Sequence, residues 1–396
     1  MQEGRKGRLH PAVGYARNLV ADSLNELLGA GTVAASGKVA RGGMKNQGAR
    51  PDDVEQLPLV LVGCSGGPDS LALAAITAHF ARRGSVRVGA VVVNHQMQEG
   101  SAGIAVRAAK QCEQLGLSPV LIKEVTVDTT SEGPEMAART ARYGAFEEAV
   151  QQTGAQAVLL AHTLDDQAET VLLGLARGSG TRSLAGMPAR RTHREVTYLR
   201  PLLTLRRAEV QDICEAEHLA PWQDPTNSDE ALMRAKVRHT VLPFLEEQLG
   251  GDVAVSLART AAISGPDSEY LEAQAHQALN AVSLTPEQVG GSEKLELPIL
   301  ENPNLVILNR AAVLNLPKAL QNRVLALAVK RAGGEAPGFE RLTALSTFVA
   351  AHGKAGPLQL AGHVQAFRRR PAARLKTSHG EQNLKQTGVI AFLGKQ

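Results

Sequence analysis

The chain has 396 residues, 43% of them hydrophobic, enough for two or three domains with a sizeable core. Its 43 basic and 39 acidic residues leave it mildly basic, which permits a nucleic-acid partner. Three cysteines (Cys64, Cys112 and Cys214) with no CxxC spacing argue against a zinc knuckle or iron–sulfur site and fit a reducing cytoplasm. The absence of any membrane-length apolar run argues against a membrane partner.

Met1 to Arg8 is charged and no apolar stretch follows it, so no secretory leader is expected. From Pro11 to Leu28, apolar residues recur at helical spacing (Val13, Ala16, Leu19, Val20, Leu24, Leu27, Leu28) and predict a helix. Gly29 to Gln56 has no periodicity and is rich in Gly, Ala, Lys and Arg; it reads as a flexible basic insertion. From Leu57, β and α patterns alternate. The strand candidates are 57–64, 86–94, 119–127, 156–161 and 196–203, and the intervening helical patterns cover 69–83, 101–117, 134–153, 165–176 and 205–218. This alternation predicts an α/β fold with a doubly wound parallel sheet. Residues 232–249 return to helix, with a kink expected at Pro243, and Gly250-Gly251 reads as a domain boundary. Helices are expected over 252–279, 320–332 and 340–351. Pro357 to Thr377 reads as a β-hairpin with Arg368-Arg369-Arg370 at or near its turn. The expected division is a helix and basic insertion over 1–56, a catalytic domain over 57–249, a smaller helical domain over 250–352, and a C-terminal hairpin and tail over 353–396.

Ligands of doubly wound sheets bind at the carboxyl ends of strands. Three chemistry-bearing segments fall there: Ser65-Gly66-Gly67, Asn94-His95 and His162. In the first, an apolar run ends in Ser65-Gly66-Gly67-Pro68-Asp69-Ser70 and a helix begins. First-turn amides lack internal acceptors and lie at the positive end of the helix dipole, so such a turn can hold phosphate. Gly66 and Gly67 let the backbone approach a ligand, and Ser65 and Ser70 add hydroxyls. Asp69 is an acid where an anion should bind, which makes sense if it holds Mg²⁺. No lysine follows, so this is not the GxxxxGK[ST] loop. At the fourth strand, Ala161 to Thr170 opens a helix with Asp165 and Asp166 in its first turn. His162 and Asp166 share a face, as do Asp165 and Glu169; acids packed beside a phosphate turn suit Mg²⁺ or a substrate ammonium.

Ser65–Ser70 resembles the pyrophosphate loop of the N-type ATP pyrophosphatases. With Val93-Asn94-His95, Glu135–Tyr143, Ala161–Thr170, Arg177-Gly178-Ser179-Gly180 through Gly186-Met187, Arg200-Pro201-Leu202-Leu203, Asp224-Pro225-Thr226-Asn227 and Arg234 through Pro243, the chain resembles the tRNA(Ile)-lysidine synthetase family over about half its length. The resemblance implies ATP and Mg²⁺ as cofactors, and tRNA(Ile) and free lysine as substrates. It also implies adenylation of the wobble cytidine, followed by attack of the lysine side-chain amine. Carried over, Ser65, Gly66, Gly67, Pro68, Asp69 and Ser70 hold the phosphates, and Asp69 and Asp166 lie near the metal. Asp166 and Glu169 take the lysine ammonium. His162 is a base or an AMP-orienting group, and Arg142 and Arg234 match basic positions near ATP or the anticodon. A cytoplasmic location is implied, and a homodimer is compatible.

Three positions depart from the family pattern: Thr163 stands where a second histidine is usual, Asn94 where an aspartate is common, and Ala235 where an asparagine follows the arginine. Trp222, the sole tryptophan, reads as packing beside Pro221 rather than stacking on a base. The alternatives are a tRNA 2-thiolation enzyme of the same superfamily, which typically needs the paired cysteines missing here, and a non-catalytic tRNA-binding relative.

Overall fold

The first core strand, β1 (Leu59–Gly63), shows why the sheet forms: its side chains are apolar on both faces. Val60 and Val62 join one buried cluster and Leu59 and Leu61 another. A strand of that kind can only be satisfied inside a sheet covered twice. The computed structural model describes residues 9–34, 56–96, 100–127, 133–178, 180–224, 229–289, 302–370, 374–377, 380–383 and 388–395. Most of the basic insertion, Ser179, and the Pro225-Thr226-Asn227 part of the expected turn lie outside them. The chain divides into two compact units, Met1–Ile263 and Ser264–Gln396.

In the first unit, β1, β2 (Arg87–Asn94), β3 (Val120–Glu124), β4 (Ala157–Leu159), β5 (Arg190–His193) and β6 (Val196–Leu199) form one sheet in the order β3-β2-β1-β4-β6-β5. All neighbours are parallel except β5 and β6. β1 sits between β2 and β4, so the ends of the three strands that carry the chemistry are adjacent. One face is covered by α1 (Pro11–Leu28), α2 (Pro68–Arg82), α3 (Ser101–Gln114) and α7 (Arg207–Ala216). The other face meets α4 (Pro134–Thr153) through Phe146 and Ala149. Between α4 and α7 lie α5 (Leu164–Ala176) and the single turn α6 (Thr181–Leu184). From Ser70 to Ala78 every residue of α2 is buried, so this helix, which begins at the phosphate turn, is gripped on all sides.

The strand expected over 196–203 ends at Leu199 and pairs with β5 through a two-residue turn, Arg194-Glu195. Both turn residues have positive φ (45° and 66°), the geometry that usually selects Asn-Gly or Asp-Gly. Neither residue signals a turn, which is why the hairpin is not legible in the sequence. Around Pro243 the expected kink takes the form of a π turn, Val237–Val241, between α8 (Met233–Lys236) and α9 (Leu242–Leu249). The Leu242 amide bonds back five residues to Val237 O, so the missing proline N–H falls at the start of a new helix.

The second unit combines helix with sheet. Five strands run in the order β7-β8-β13-β10-β9: β7 (Ser283–Leu284), β8 (Leu305–Asn309), β13 (Val389–Leu393), β10 (Gln365–Arg369) and β9 (Ala355–Gln359). A second ribbon pairs β11 (Arg374–Thr377) with β12 (Gly380–Asn383). The later turns of α10 (Val253–Val282) pack in this unit's core with α12 (Lys318–Arg331) and α13 (Phe339–Ala350); α11 (Arg310–Asn315) precedes them. A purely helical region was expected before the hairpin. β8 and β13 carry runs of four and five apolar residues that period alone does not distinguish from helix.

The hairpin is β9–β10, and its basic run is not at the turn. Arg368 is buried in β10, donating to Gly353 O (2.6 Å), His352 O (2.8 Å) and Phe348 O. Arg369 stacks on Phe367 and donates to Ala355 O. Of the three arginines, only Arg370 is exposed. The last carbonyls of α13 and those just after it lack helical partners, and a guanidinium satisfies three of them at once, one inside the helix and two beyond it.

Candidate active site

The phosphate turn is held open by its own hydroxyls. Ser70 Oγ accepts from Ser65 N (3.1 Å), donates to Gly67 O (3.0 Å) and lies 3.2 Å from Ser65 Oγ. Ser65 Oγ accepts from Gly67 N at 3.4 Å. Gly66 has φ +82°, and a Cβ there would stand 3.0 Å from Ala108 Cβ, so both conformation and space require glycine. Its carbonyl accepts from Trp222 N at 2.9 Å, which ties the loop to segment 220–222. Pro68 occupies the first helical turn, where a missing N–H costs nothing.

Asp69 follows, with Oδ1 buried and accepting no hydrogen bond. Burial raises its pKa to about 6, and the charge of Asp166 adds to the rise. β1 and β4 are parallel neighbours in the sheet, so the turn after one and the helix start after the other open side by side. Of the six other buried atoms without a hydrogen-bond partner among the described residues, three lie at neighbouring strand ends: His95 Nδ1 after β2, His162 Nδ1 after β4 and Arg200 Nε after β6. Native interiors rarely leave such groups unmet, and a cluster of them at one sheet edge is the mark of a site built for a polar ligand.

Thr163 and Asp166 form a capping box at the start of α5. Thr163 N and Oγ1 donate to Asp166 Oδ2 (2.8 and 3.0 Å), and Thr163 Oγ1 accepts from Asp166 N. The other oxygen, Oδ1, takes Arg207 Nη2 at 2.9 Å and Arg238 Nη2 at 3.5 Å. Burial opposes the charge on Asp166, but Arg207, the Thr163 amide and Arg238 outweigh it and hold the pKa below the usual carboxylate range. Glu169, with no exposed side-chain area, is held by Arg238 (2.7 and 3.2 Å) and Arg207 (3.4 Å). Asp165 faces outward from this pair and accepts from Arg207 N (2.7 Å) and Arg206 (3.4 Å). Arg234 donates to Thr170 Oγ1 at 3.4 Å, one turn further along the same helix.

His162 is neutral at physiological pH. Burial lowers its pKa to about 3, helped by Arg200, Arg139 and Arg142 against the opposing charge of Asp166. Burial and Arg142 lower His95 to about 4. Arg142, on α4, thus lies near both imidazoles. Arg200 is buried, donating to Pro188 O (2.8 Å) and Tyr143 OH (3.2 Å), and Tyr143 in turn receives Arg139 at 3.3 Å.

Residues 45–245 match the family described as PP-loop domain, and residues 308–373 match the TilS substrate binding domain. The tRNA(Ile)-lysidine synthase of Leifsonia xyli subsp. xyli is 45% identical over 314 residues, covering 79% of this chain and 89% of that protein. The chain belongs to the tRNA(Ile)-lysidine synthase family. The lysidine synthase of Thermobifida fusca is 47% identical across 67% of this chain and 75% of its own. That of Bifidobacterium longum subsp. infantis is 47% identical across 58% of this chain and 61% of its own. These lysidine synthase relatives favour a ligase over the thiolation and non-catalytic alternatives.

Ser65 to Ser70, His162, Asp166 and Glu169 lie at the carboxyl ends of β1 and β4 or on the helices that open there, Arg142 lies on α4, and Arg234 lies on α8 and reaches the site only through Thr170. The sequence reading gave no role to the two guanidiniums that hold the acids, those of Arg207 and Arg238. A signal for the second was available: Arg234 and Arg238 are four apart, the spacing that places two side chains on one face. Among the described residues no three His, Cys, Asp or Glu side chains gather as a metal cluster. Mg²⁺ commonly takes one or two carboxylates plus substrate phosphates, and the unpartnered Asp69 Oδ1 beside the phosphate turn fits that role. Both Asp166 oxygens are already engaged. No helix among the described residues is long and apolar enough to cross a membrane.

Proposed function

We propose that the chain makes lysidine. ATP adenylates the C2 carbonyl oxygen of the wobble cytidine of a CAU-anticodon tRNA(Ile), releasing pyrophosphate. The lysine Nζ then attacks C2, and AMP leaves. The division of labour we propose gives catalysis to residues 57–249 and tRNA contact to 250–352 and 353–396. A homodimer and a cytoplasmic location are compatible with this reading, the latter supported by three free thiols.

One observation carries the site assignment: Asp69, on the phosphate turn, is within electrostatic reach of Asp166 on the acidic helix start. The amides and hydroxyls of Ser65, Gly66, Gly67 and Ser70 bind the phosphates, and Pro68 fixes the entry to the helix. Mg²⁺ held by Asp69 would neutralise charge developing on the leaving pyrophosphate. Asp166 and Glu169 receive the lysine ammonium. Their present partners, two guanidiniums, support the view that this position selects cations. Asp166 would reach a metal only by exchanging Arg207.

Lysine is almost wholly protonated at neutral pH and must lose a proton before it attacks. A histidine with a pKa of about 3 is too weak a base for that step. Of the two roles open to His162, this favours orientation of the adenylate by a neutral imidazole. Arg142 and Arg234 supply positive charge around ATP or the anticodon.

The test is incubation of the protein with ATP, isotopically labelled lysine and CAU-anticodon tRNA(Ile), with the modified nucleoside identified by mass. Label in tRNA at the lysidine mass is expected. Sulfur transfer, or unmodified tRNA alongside intact ATP binding, refutes the reading. A panel of other amines in the same assay decides whether lysine is selected.

A further inference from the structure

A cavity of about 240 Å³ opens behind the phosphate turn, between α3 and segment 220–222. Gly66, Arg107, Ala108, Gln111, Pro221 and Trp222 line it. None of the acids or histidines of the site described above takes part. The cavity shares only one wall with that site, the backbone of Gly66. That wall is tied on one side, where Gly66 O accepts from Trp222 N, and leaves no room for a Cβ on the other, where one would stand 3.0 Å from Ala108 Cβ.

The lining combines three recognition chemistries. Trp222 and Pro221 offer flat apolar surface, the side-chain amide of Gln111 can pair with the edge of a heterocycle, and Arg107, exposed on α3, supplies a positive charge. Unstacked bases are recognised in this way: aromatic stacking, hydrogen bonds to the base edge and a cation for the phosphate. The volume falls below that of drug-sized ligand pockets, which limits the enclosed part of an occupant to about one base. We propose that this cavity holds a single nucleotide, with its base against Trp222 and Gln111 and its phosphate at Arg107, separate from the ATP held by the phosphate turn. The proposal rests on the reading of the chain as an RNA-modifying enzyme, which makes an unpaired nucleotide of the tRNA the first source. A free nucleotide has the same chemistry and is the second. Trp222, read from the sequence as packing beside Pro221, lines the cavity together with it.

Trp222 is the only tryptophan in the chain, so its fluorescence reports on this cavity. The full chain is titrated, without ATP, with a stem-loop RNA carrying the CAU anticodon, with a blunt duplex of the same stem, and with AMP. Quenching by the stem-loop but not the duplex is expected, with the slope of log affinity against log salt falling by about one in Arg107→Gln. Quenching by AMP that Arg107→Gln weakens would assign the cavity to a free nucleotide and also uphold it. Quenching that Arg107→Gln leaves unchanged arises at the phosphate turn and overturns the proposal, as does no quenching by any probe. In a second measurement, Trp222→Ala raises the KM for the stem-loop at unchanged kcat and Trp222→Phe restores it. An equal loss in both variants would mark a structural role and sink the idea. Lysidine formation by the wild-type chain, followed in parallel, separates failure of this proposal from failure of the enzymatic reading.

Discussion

Glu169 presents both carboxylate oxygens to one guanidinium: Arg238 Nε reaches Oε1 at 2.7 Å and Nη2 reaches Oε2 at 3.2 Å. The acid has no exposed side-chain area, while the arginine keeps 24% of its own. A bidentate pair of this kind fixes two elements together, α5 and the segment around the π turn.

Removing one partner is expected to cost more than removing both. Glu169→Leu leaves Arg238 only its 3.5 Å contact with Asp166 and should destabilise by roughly 3 kcal/mol, the low end for a broken buried pair because the arginine also reaches water. The Glu169→Leu/Arg238→Met double variant should recover more than half of that loss. Urea midpoints with unchanged slopes measure both. A double variant as unstable as the single one would show that the pair contributes by geometry rather than by charge.

Ser70→Ala removes the hydroxyl through which Ser65, Gly67 and Ser70 hold the phosphate turn open. The fold should lose only about 1 kcal/mol. The kcat/KM for ATP should fall on the order of 100-fold, because binding groups displaced by an ångström no longer meet the reacting phosphates. Thermal melting alongside steady-state kinetics separates the two effects, and equal small losses in both would contradict the role given to this hydroxyl.

Gly186→Ala should be among the most damaging small substitutions in the first unit. Gly186 has φ +60°, and a Cβ would lie 2.5 Å from Gln167 Oε1. That oxygen accepts from Met187 N at 2.7 Å, and Gln167 Nε2 donates back to Met187 O at 3.0 Å. Strain plus two lost buried hydrogen bonds should cost roughly 3 kcal/mol. Hydrogen exchange at the Met187 amide tests the mechanism, since its protection should collapse even where the rest of the unit stays folded.

The first unit should lose stability on mild acidification through His95 and His162, offset in part by Asp69, whose raised pKa of about 6 acts in the opposite direction. The His95 imidazole titrates at about 4 when folded, against 6.5 for the ordinary group, because it is buried and faces the positive charge of Arg142. Between those values the unfolded chain binds more protons there, so this contribution to the unfolding free energy falls as pH drops from about 6.5 to about 4 and is unaffected above that window. Denaturation at about pH 7 and about pH 5 should show the drop, and His95→Gln should reduce it. An identical pH dependence in His95→Gln would assign the effect to other groups.

In the second unit, Arg368→Lys should behave almost like Arg368→Ala. The planar guanidinium serves carbonyls of Phe348, His352 and Gly353 together, a spread that a single ammonium does not match. Each variant should cost roughly 2–3 kcal/mol in that unit, read from thermal melting.

The sequence by itself determined the elements and the chemistry at their ends. Uninterrupted apolar strands, helical spacing, the Ser65–Ser70 turn and the acid-rich start of α5 each rest on local rules: dihedral preference, side-chain period and helix-end electrostatics. They were therefore legible without partners. Tertiary structure alone decided who pairs with whom. It brought Arg207 and Arg238, 41 and 72 residues from Asp166, onto that carboxylate. It also buried Arg368 in a strand where a solvated turn was expected and formed a hairpin at Arg194-Glu195 with no turn signal. The reason is physical. A guanidinium reads the same in any sequence, whereas its burial, its partners and the pKa it imposes depend on distances that only the folded chain fixes.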